Sequence, residues 1–132
     1  MMTLVEEKDD FICKKLCEYL MSFEDVRFVG IIDNMGNVVI DQFKDGDDTF
    51  QDDAKRRMLY MQMVLEISMR RDFDSSLGGL NYVISHRNKG LMISLPYKEH
   101  VIILSGTHRI QIQEIVSRIN AIIDTGESGG HS

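Results

Sequence analysis

Apolar residues recur at helical spacing near both ends and in the middle of the chain, with short apolar runs between them. Ile12, Leu16 and Tyr19 lie three or four positions apart, which predicts a helix over residues 3–22 that starts in a capping box at Thr3. The same spacing predicts a middle helix from about residue 49 to 71 and a last helix over residues 109–124.

The segments between these helices are rich in β-branched residues and are joined by short polar connections. They predict five strands, over residues 27–32, 37–43, 80–86, 90–95 and 100–105. Short connections make neighbouring strands antiparallel. Several strands are continuously apolar, such as residues 101–104, so both sheet faces must be covered.

The predicted order is helix, strand, strand, helix, strand, strand, strand, helix. We therefore expect an α/β (α+β) three-layer sandwich around one five-stranded antiparallel sheet. The first and last helices would share one face, and the middle helix would cover the other. A chain of 132 residues fits a single domain, predicted over residues 1–125, with Gly126 ending the last helix and residues 126–132 forming a flexible tail.

The middle helix has two apolar faces, whereas a helix on the surface of a monomer should have one. We assign one face to packing on the sheet and the other to a protein interface. The sheet-packing stripe comprises Ala54, Met58, Met61, Leu65 and Met69, and the opposite face carries Tyr60, Met63, Val64 and Ile67. The alternative is that the acidic segment 41–53 folds back over the second face.

The strand over residues 80–86 would lie at a sheet edge, and it contains no Pro, Lys or Glu to discourage pairing. Antiparallel pairing with the same strand of a second copy would join two sheets and bring two middle helices together. The sequence therefore predicts a homodimer. Its expected interface residues are Tyr60, Val64, Ile67, Tyr82 and Ile84.

Charge is distributed unevenly along the chain. The net charge is −6, with −9 over residues 1–53, +5 over residues 54–118 and −2 beyond. This acidic balance argues against nucleic acid and against an anionic membrane as partners. Basic residues nevertheless lie at the two ends of the middle helix, namely Arg56, Arg57, Arg70 and Arg71. They either form ion pairs with neighbouring acidic residues or bind an acidic partner.

The sequence holds no recognisable arrangement of catalytic or cofactor-binding residues. Cys13 and Cys17 lie four apart on a helix, too far apart for a disulfide, and are expected to be small buried residues in a reducing compartment such as the cytoplasm. The four His residues show no zinc-ligand spacing, and Phe43 interrupts the calcium-loop pattern of Asp41, Asp45, Gly46 and Asp52. Phosphate-binding glycine motifs are missing, so we expect no enzyme, no cofactor and no metal.

The element order, the glycine inside the first strand and the Asp33-x-x-Gly36 turn together resemble the roadblock family of dynein-light-chain-like proteins. Residues 22–33 and 70–78 are similar to an archaeal branch of unknown function. The resemblance covers about residues 5–124. It implies a non-enzymatic dimer built through the middle helix and the third strand, acting as a scaffold or regulator of a small GTPase.

Two functions follow as hypotheses. The first is a cytoplasmic, homodimeric, roadblock-like interaction and regulatory module whose partner is a small GTPase or another acidic protein. The second is a small-ligand sensor of the PAS-like or profilin-like kind, with a methionine-rich pocket between the middle helix and the sheet. The methionines that suggest this pocket are Met58, Met61, Met63, Met69 and Met92.

Overall fold

The computed structural model describes residues 4–44 and 52–129. The helices are α1 (Leu4–Met21), α2 (Asp53–Arg71), α3 (Asp74–Leu77) and α4 (Ile112–Gly129). The strands are β1 (Val26–Asp33), β2 (Val38–Phe43), β3 (Val83–Arg87), β4 (Gly90–Tyr97) and β5 (His100–Gly106).

The five strands form one antiparallel sheet in the order β2-β1-β5-β4-β3, so the predicted sheet is confirmed. Ile31 in β1 lies opposite Ile40 of β2 on one side and opposite Ile102 of β5 on the other. β1 and β5 therefore hold inner positions in the sheet, and their apolar runs are almost entirely buried. β3 and β2 form the two edges.

Helices cover both faces of the sheet, which confirms the predicted three layers. α1 and α4 pack together on one face, where a core cluster includes Leu16, Val29 and Ile119. α2 covers the other face through a smaller cluster that includes Phe28 and Ile103. Alternate residues of each inner strand enter the two clusters, as the twofold period of a strand requires.

Two glycines in the first hairpin make room for α2. A Cβ atom at Gly30, in the middle of β1, would lie 2.9 Å from the Phe28 ring and 3.2 Å from the Tyr60 hydroxyl. Gly36, in the β1–β2 turn, has a φ of +85°, and a Cβ atom there would lie 2.6 Å from the sulfur of Met61. Both positions therefore allow the helix to approach the hairpin closely.

The helix ends differ from the prediction in two places. α2 starts at Asp53, and the Asp52 carboxylate accepts a hydrogen bond of 2.9 Å from the Ala54 N–H, whereas the expected cap Thr49 lies outside the described residues, as does Thr3. The prediction that Gly126 ends the last helix is wrong, because α4 continues to Gly129. A Cβ atom at Gly126 would lie 2.8 Å from Cγ1 of Ile12, so this glycine serves close packing of α4 on α1 instead of a helix end. The predicted tail is helical as far as residue 129, and residues 130–132 lie outside the described part.

Candidate interaction surface

The side of α2 that packs on the sheet is the opposite of the one expected. Tyr60 and Ile67 are 1% and 3% exposed and lie in the core cluster under α2, where Val64 is half-buried beside them. The assignment of the methionine-rich stripe to sheet packing is therefore wrong. Gly30 leaves space for the Tyr60 ring, and Asp41 provides its hydroxyl with an acceptor, which explains why the aromatic and β-branched face is the buried one.

The opposite side of α2 presents a continuous apolar stripe, which we call the α2 stripe. Its large side chains are 44–67% exposed, and three or four positions separate each from the next. The α2 stripe comprises Met58, Met61, Leu65 and Met69. The second apolar face predicted from the sequence thus exists, but it is formed by these residues and not by Tyr60, Val64 and Ile67.

Tyr60 carries the polar link between α2 and the sheet. Its hydroxyl donates a hydrogen bond of 2.9 Å to the Asp41 carboxylate on β2. Burial, together with this hydrogen bond and the Asp41 charge, raises the pKa of Tyr60 far above its ordinary value, so the hydroxyl stays protonated and remains a donor. The Arg56 guanidinium lies 3.7 Å from the same carboxylate, and the Phe43 ring lies 5.4 Å from that guanidinium.

The edge strand β3 contributes little to either core cluster. Ile84 is exposed and lies opposite Ile93 of β4, which places it on the α1 and α4 side of the sheet. Tyr82 precedes the strand and packs, half-buried, against the cluster on that same side. Val83 instead packs towards α2. The two expected interface residues of this strand therefore lie on the opposite side of the sheet from α2.

The four arginines at the ends of α2 divide into different environments. Arg56 is half-buried, donates a hydrogen bond to Asp53 and forms an ion pair with Asp41, so it belongs to the local structure. Arg70 lies 3.3 Å from Glu66 one turn away, and Arg71 donates a hydrogen bond of 3.3 Å to the Lys98 carbonyl. Arg57, Arg70 and Arg71 are exposed.

The methionines expected to line a ligand pocket do not share one site. Met63 and Met92 are half-buried and pack against the core cluster between α2 and the sheet. Met58, Met61 and Met69 belong to the exposed α2 stripe. Two of the five methionines thus pack in the core and three lie on the surface, so they do not line one pocket.

Cys13 and Cys17 are buried with free thiols, as expected for small residues on an inward helix face. Burial raises the pKa of Cys13 to about 12 and that of Cys17 to about 11, so both remain thiols at neutral pH. Within residues 4–44 and 52–129, no three His, Cys, Asp or Glu side chains are grouped so that they could hold a metal ion. Nor does any helix in this part of the chain combine the length and apolar character that crossing a membrane requires.

The fold and the two-sided covering of its sheet define a roadblock-like α+β protein. A Roadblock/LC7 domain from Streptomyces avermitilis has a TM-score of 0.64 at 8% identity, over 93% of this chain and 98% of that one. Myxococcus xanthus MglB has a TM-score of 0.65 at 12% identity, over 94% and 88%. The gliding protein MglB of Thermus thermophilus has a TM-score of 0.64 at 8% identity, over 96% and 93%. At these identities the likeness shows the fold.

The sequence itself identifies the family. The chain belongs to the Family of unknown function (DUF6659), whose sequence profile matches residues 5–127. None of the curated proteins matches the chain in sequence.

Proposed function

We propose that this protein is a non-enzymatic, homodimeric interaction module that regulates a small GTPase in the cytoplasm. The observation that carries the dimer is the α2 stripe, a row of large apolar side chains on a helix whose other side is already packed on the sheet. A soluble monomer gains nothing from leaving such a stripe in water, whereas a second copy buries it.

The α2 stripe is large enough to offset much of the free-energy cost of association. Full burial of one large apolar side chain contributes roughly 1.5–3 kcal/mol, and partial exposure reduces this by about half. Two copies would bring eight such side chains together, since each α2 stripe holds four. The total is of the same order as the cost of association, so further contacts decide the affinity.

The edge strand β3 supplies a second contact of the right kind. It pairs with β4 on one side, while its other side has no strand beside it in the described chain. Antiparallel pairing of β3 with its symmetry mate would extend the sheet across the dimer. The proposed interface is therefore the α2 stripe together with the backbone edge of β3 around Ile84, in place of the face formed by Tyr60, Val64 and Ile67.

The partner is proposed from the roadblock resemblance and from charge. Proteins named MglB share the fold, and one structure entitled "MglB with tetrameric arrangement" has a TM-score of 0.60 at 7% identity, over 96% of this chain and 95% of that one. The family resemblance implies a small GTPase as the regulated protein. On this chain, the exposed Arg57, Arg70 and Arg71 flank the α2 stripe and would contact an acidic surface.

The dimer is tested by the Leu65→Glu variant. Wild-type protein should have a molar mass of roughly 30 kDa by light scattering, twice the 15.2 kDa of the chain. Leu65→Glu should give a folded monomer, because the new charge lies in the α2 stripe and not in the core. Gln113→Glu adds the same charge at an exposed position of α4 and should leave the mass unchanged. A monomeric wild type, or a dimer that tolerates Leu65→Glu, would refute this interface.

The partner is tested separately with purified small GTPases of the source organism, each loaded with GDP or with a non-hydrolysable GTP analogue. We expect one of them to bind the dimer in one nucleotide state, and Arg57→Glu to weaken that binding about tenfold. Arg109→Glu, an exposed charge reversal before α4, is the matched control and should have little effect. Failure of every GTPase in both nucleotide states would contradict the proposed regulation while leaving the dimer intact.

A further inference from the structure

A long groove lies on the face of the molecule opposite the α2 stripe. It has a volume of about 980 Å³ and runs between α1 and α4. Gly126, near the end of α4, packs against Ile12 near the middle of α1. Glu114 and Ile115, near the start of α4, lie close to Phe23, which follows the C-terminal end of α1. The two helices are therefore antiparallel, and the groove follows them both.

The floor of the groove is apolar. Phe11 is 59% exposed, although it lies on a helix whose neighbouring turns are well packed. Tyr19 and Ile122 are half-buried, and Ala121 is small enough to leave the space above them open. An exposed aromatic ring beside half-buried apolar side chains is typical of a surface that binds an apolar partner.

The rim of the groove is basic, although the chain as a whole carries a charge of −6. Among the residues whose side chains the structure describes, Lys8 and Lys15 of α1 and Arg118 of α4 line it, together with one acidic side chain, Glu18. The Lys15 ammonium lies 5.6 Å from the centre of the Phe11 ring, so positive charge stands directly beside the apolar floor. An occupant with acidic side chains flanking an apolar stripe would be complementary to both.

The length of the groove indicates the form of that occupant. The lining residues on α1 run from Lys8 to Ser22, which at about 1.5 Å per residue corresponds to roughly 21 Å. Four turns of a helix have this length. We propose that the α1/α4 groove binds an amphipathic helix of a partner protein, with its apolar stripe on Phe11 and Ile122 and with Asp or Glu residues facing Lys15 and Arg118.

A second copy of this chain fits the groove less well. A symmetric contact between two such grooves would place Lys15 and Arg118 of one copy near the same basic residues of the other. Like charges brought together in this way oppose association. The groove is also separate from the α2 stripe, so this inference does not depend on the proposed dimer.

The test uses a displayed library of helical peptides about sixteen residues long, selected against the full chain. Selected peptides should share apolar residues at positions i, i+3, i+4 and i+7, flanked by Asp or Glu. Phe11→Ser should weaken their binding at least about tenfold, and Lys15→Glu should weaken it severalfold, with a larger effect at low salt.

Each variant has a matched control. Phe73→Ser removes an aromatic ring with the same 59% exposure outside the groove, and Lys14→Glu reverses the neighbouring charge, which does not line the groove. Both controls should bind the peptides as wild type does. The proposal is overturned if no peptide binds more tightly than about 100 µM, if the selected peptides are basic, or if Phe11→Ser and Lys15→Glu bind normally. A change in the molar mass of the protein caused by Phe11→Ser would assign the groove to a second copy and also refute it.

Discussion

The Tyr60 hydroxyl is a buried polar group with one clear partner, and it fixes how α2 sits on the sheet. The ring packs above Gly30 and Phe28, while the oxygen reaches the Asp41 carboxylate at 2.9 Å. A buried hydroxyl without an acceptor costs free energy, so α2 cannot rotate its other face inward without losing this bond. The single interaction therefore helps to select which apolar face of α2 is buried.

We predict that Tyr60→Phe lowers the free energy of unfolding by about 1–2 kcal/mol, because it removes a hydrogen bond to a charged acceptor. Urea unfolding measures the change. A double-mutant cycle with Asp41→Ala, which removes the acceptor, isolates the pair: the two single changes should cost more in sum than the double variant does. Strict additivity would show that the Tyr60–Asp41 bond contributes nothing to stability.

The two thiols give a second prediction. Cys13 and Cys17 have raised pKa values because they are buried, so the folded protein favours the neutral thiols. Stability from this source is complete at neutral pH and is lost as the pH rises from about 9 to about 11 for Cys17 and to about 12 for Cys13, because unfolded chains release these protons first. A thiol reagent at pH 8 should label them only as fast as the chain opens, and urea should accelerate labelling. Immediate labelling without urea would contradict their burial.

At the scale of elements, the order and pairing of the helices and strands follow from periodicity and short connections. Periodicity does not determine which of the two apolar faces of α2 packs on the sheet. The two faces have the same spacing, one with Met58, Met61 and Leu65 and the other with Tyr60, Val64 and Ile67. The deciding contacts come from β1 and β2, which are distant in sequence. Gly30 was the available signal, since a glycine inside a buried strand often marks close approach of another element.

Gly126 illustrates the same limit at the other end of the chain. A glycine near the end of an apolar repeat usually marks a helix end, which is why the sequence predicts a stop there. In the structure it lies inside α4 and faces Ile12. Sequence periodicity describes one helix at a time, whereas this glycine is required by the close packing of α4 on α1.

The β1–β2 turn offers a test of the contact between hairpin and α2. Gly36→Ala should lower the free energy of unfolding by more than about 1 kcal/mol, because it combines a positive φ with a collision against Met61. Gly78→Ala meets the same φ of +85° in open space and should cost about 1 kcal/mol. Gly79→Ala meets neither and should change stability by less than about 0.5 kcal/mol. Equal effects at Gly36 and Gly78, which share the same φ, would show that the turn does not contact the helix.

At the scale of the whole molecule, the proposed dimer links stability to concentration. Unfolding of a dimer produces two chains, so each tenfold increase in concentration should stabilise the wild type by about 1.4 kcal/mol of dimer. The urea midpoint should therefore rise with protein concentration for wild type and for Gln113→Glu. It should stay constant for Leu65→Glu. A wild-type midpoint independent of concentration would be incompatible with coupled folding and dimerisation.

The placement of α1 and α4 on the face away from α2 has a consequence for valency. A dimer joined through α2 and β3 would carry two copies of the α1/α4 groove, related by the twofold axis and both free of the interface. A partner with two suitable helices on a linker of matching span would bind with an avidity far above that of either helix alone. A partner with a single helix would bind in a ratio of one to each chain, with no such gain.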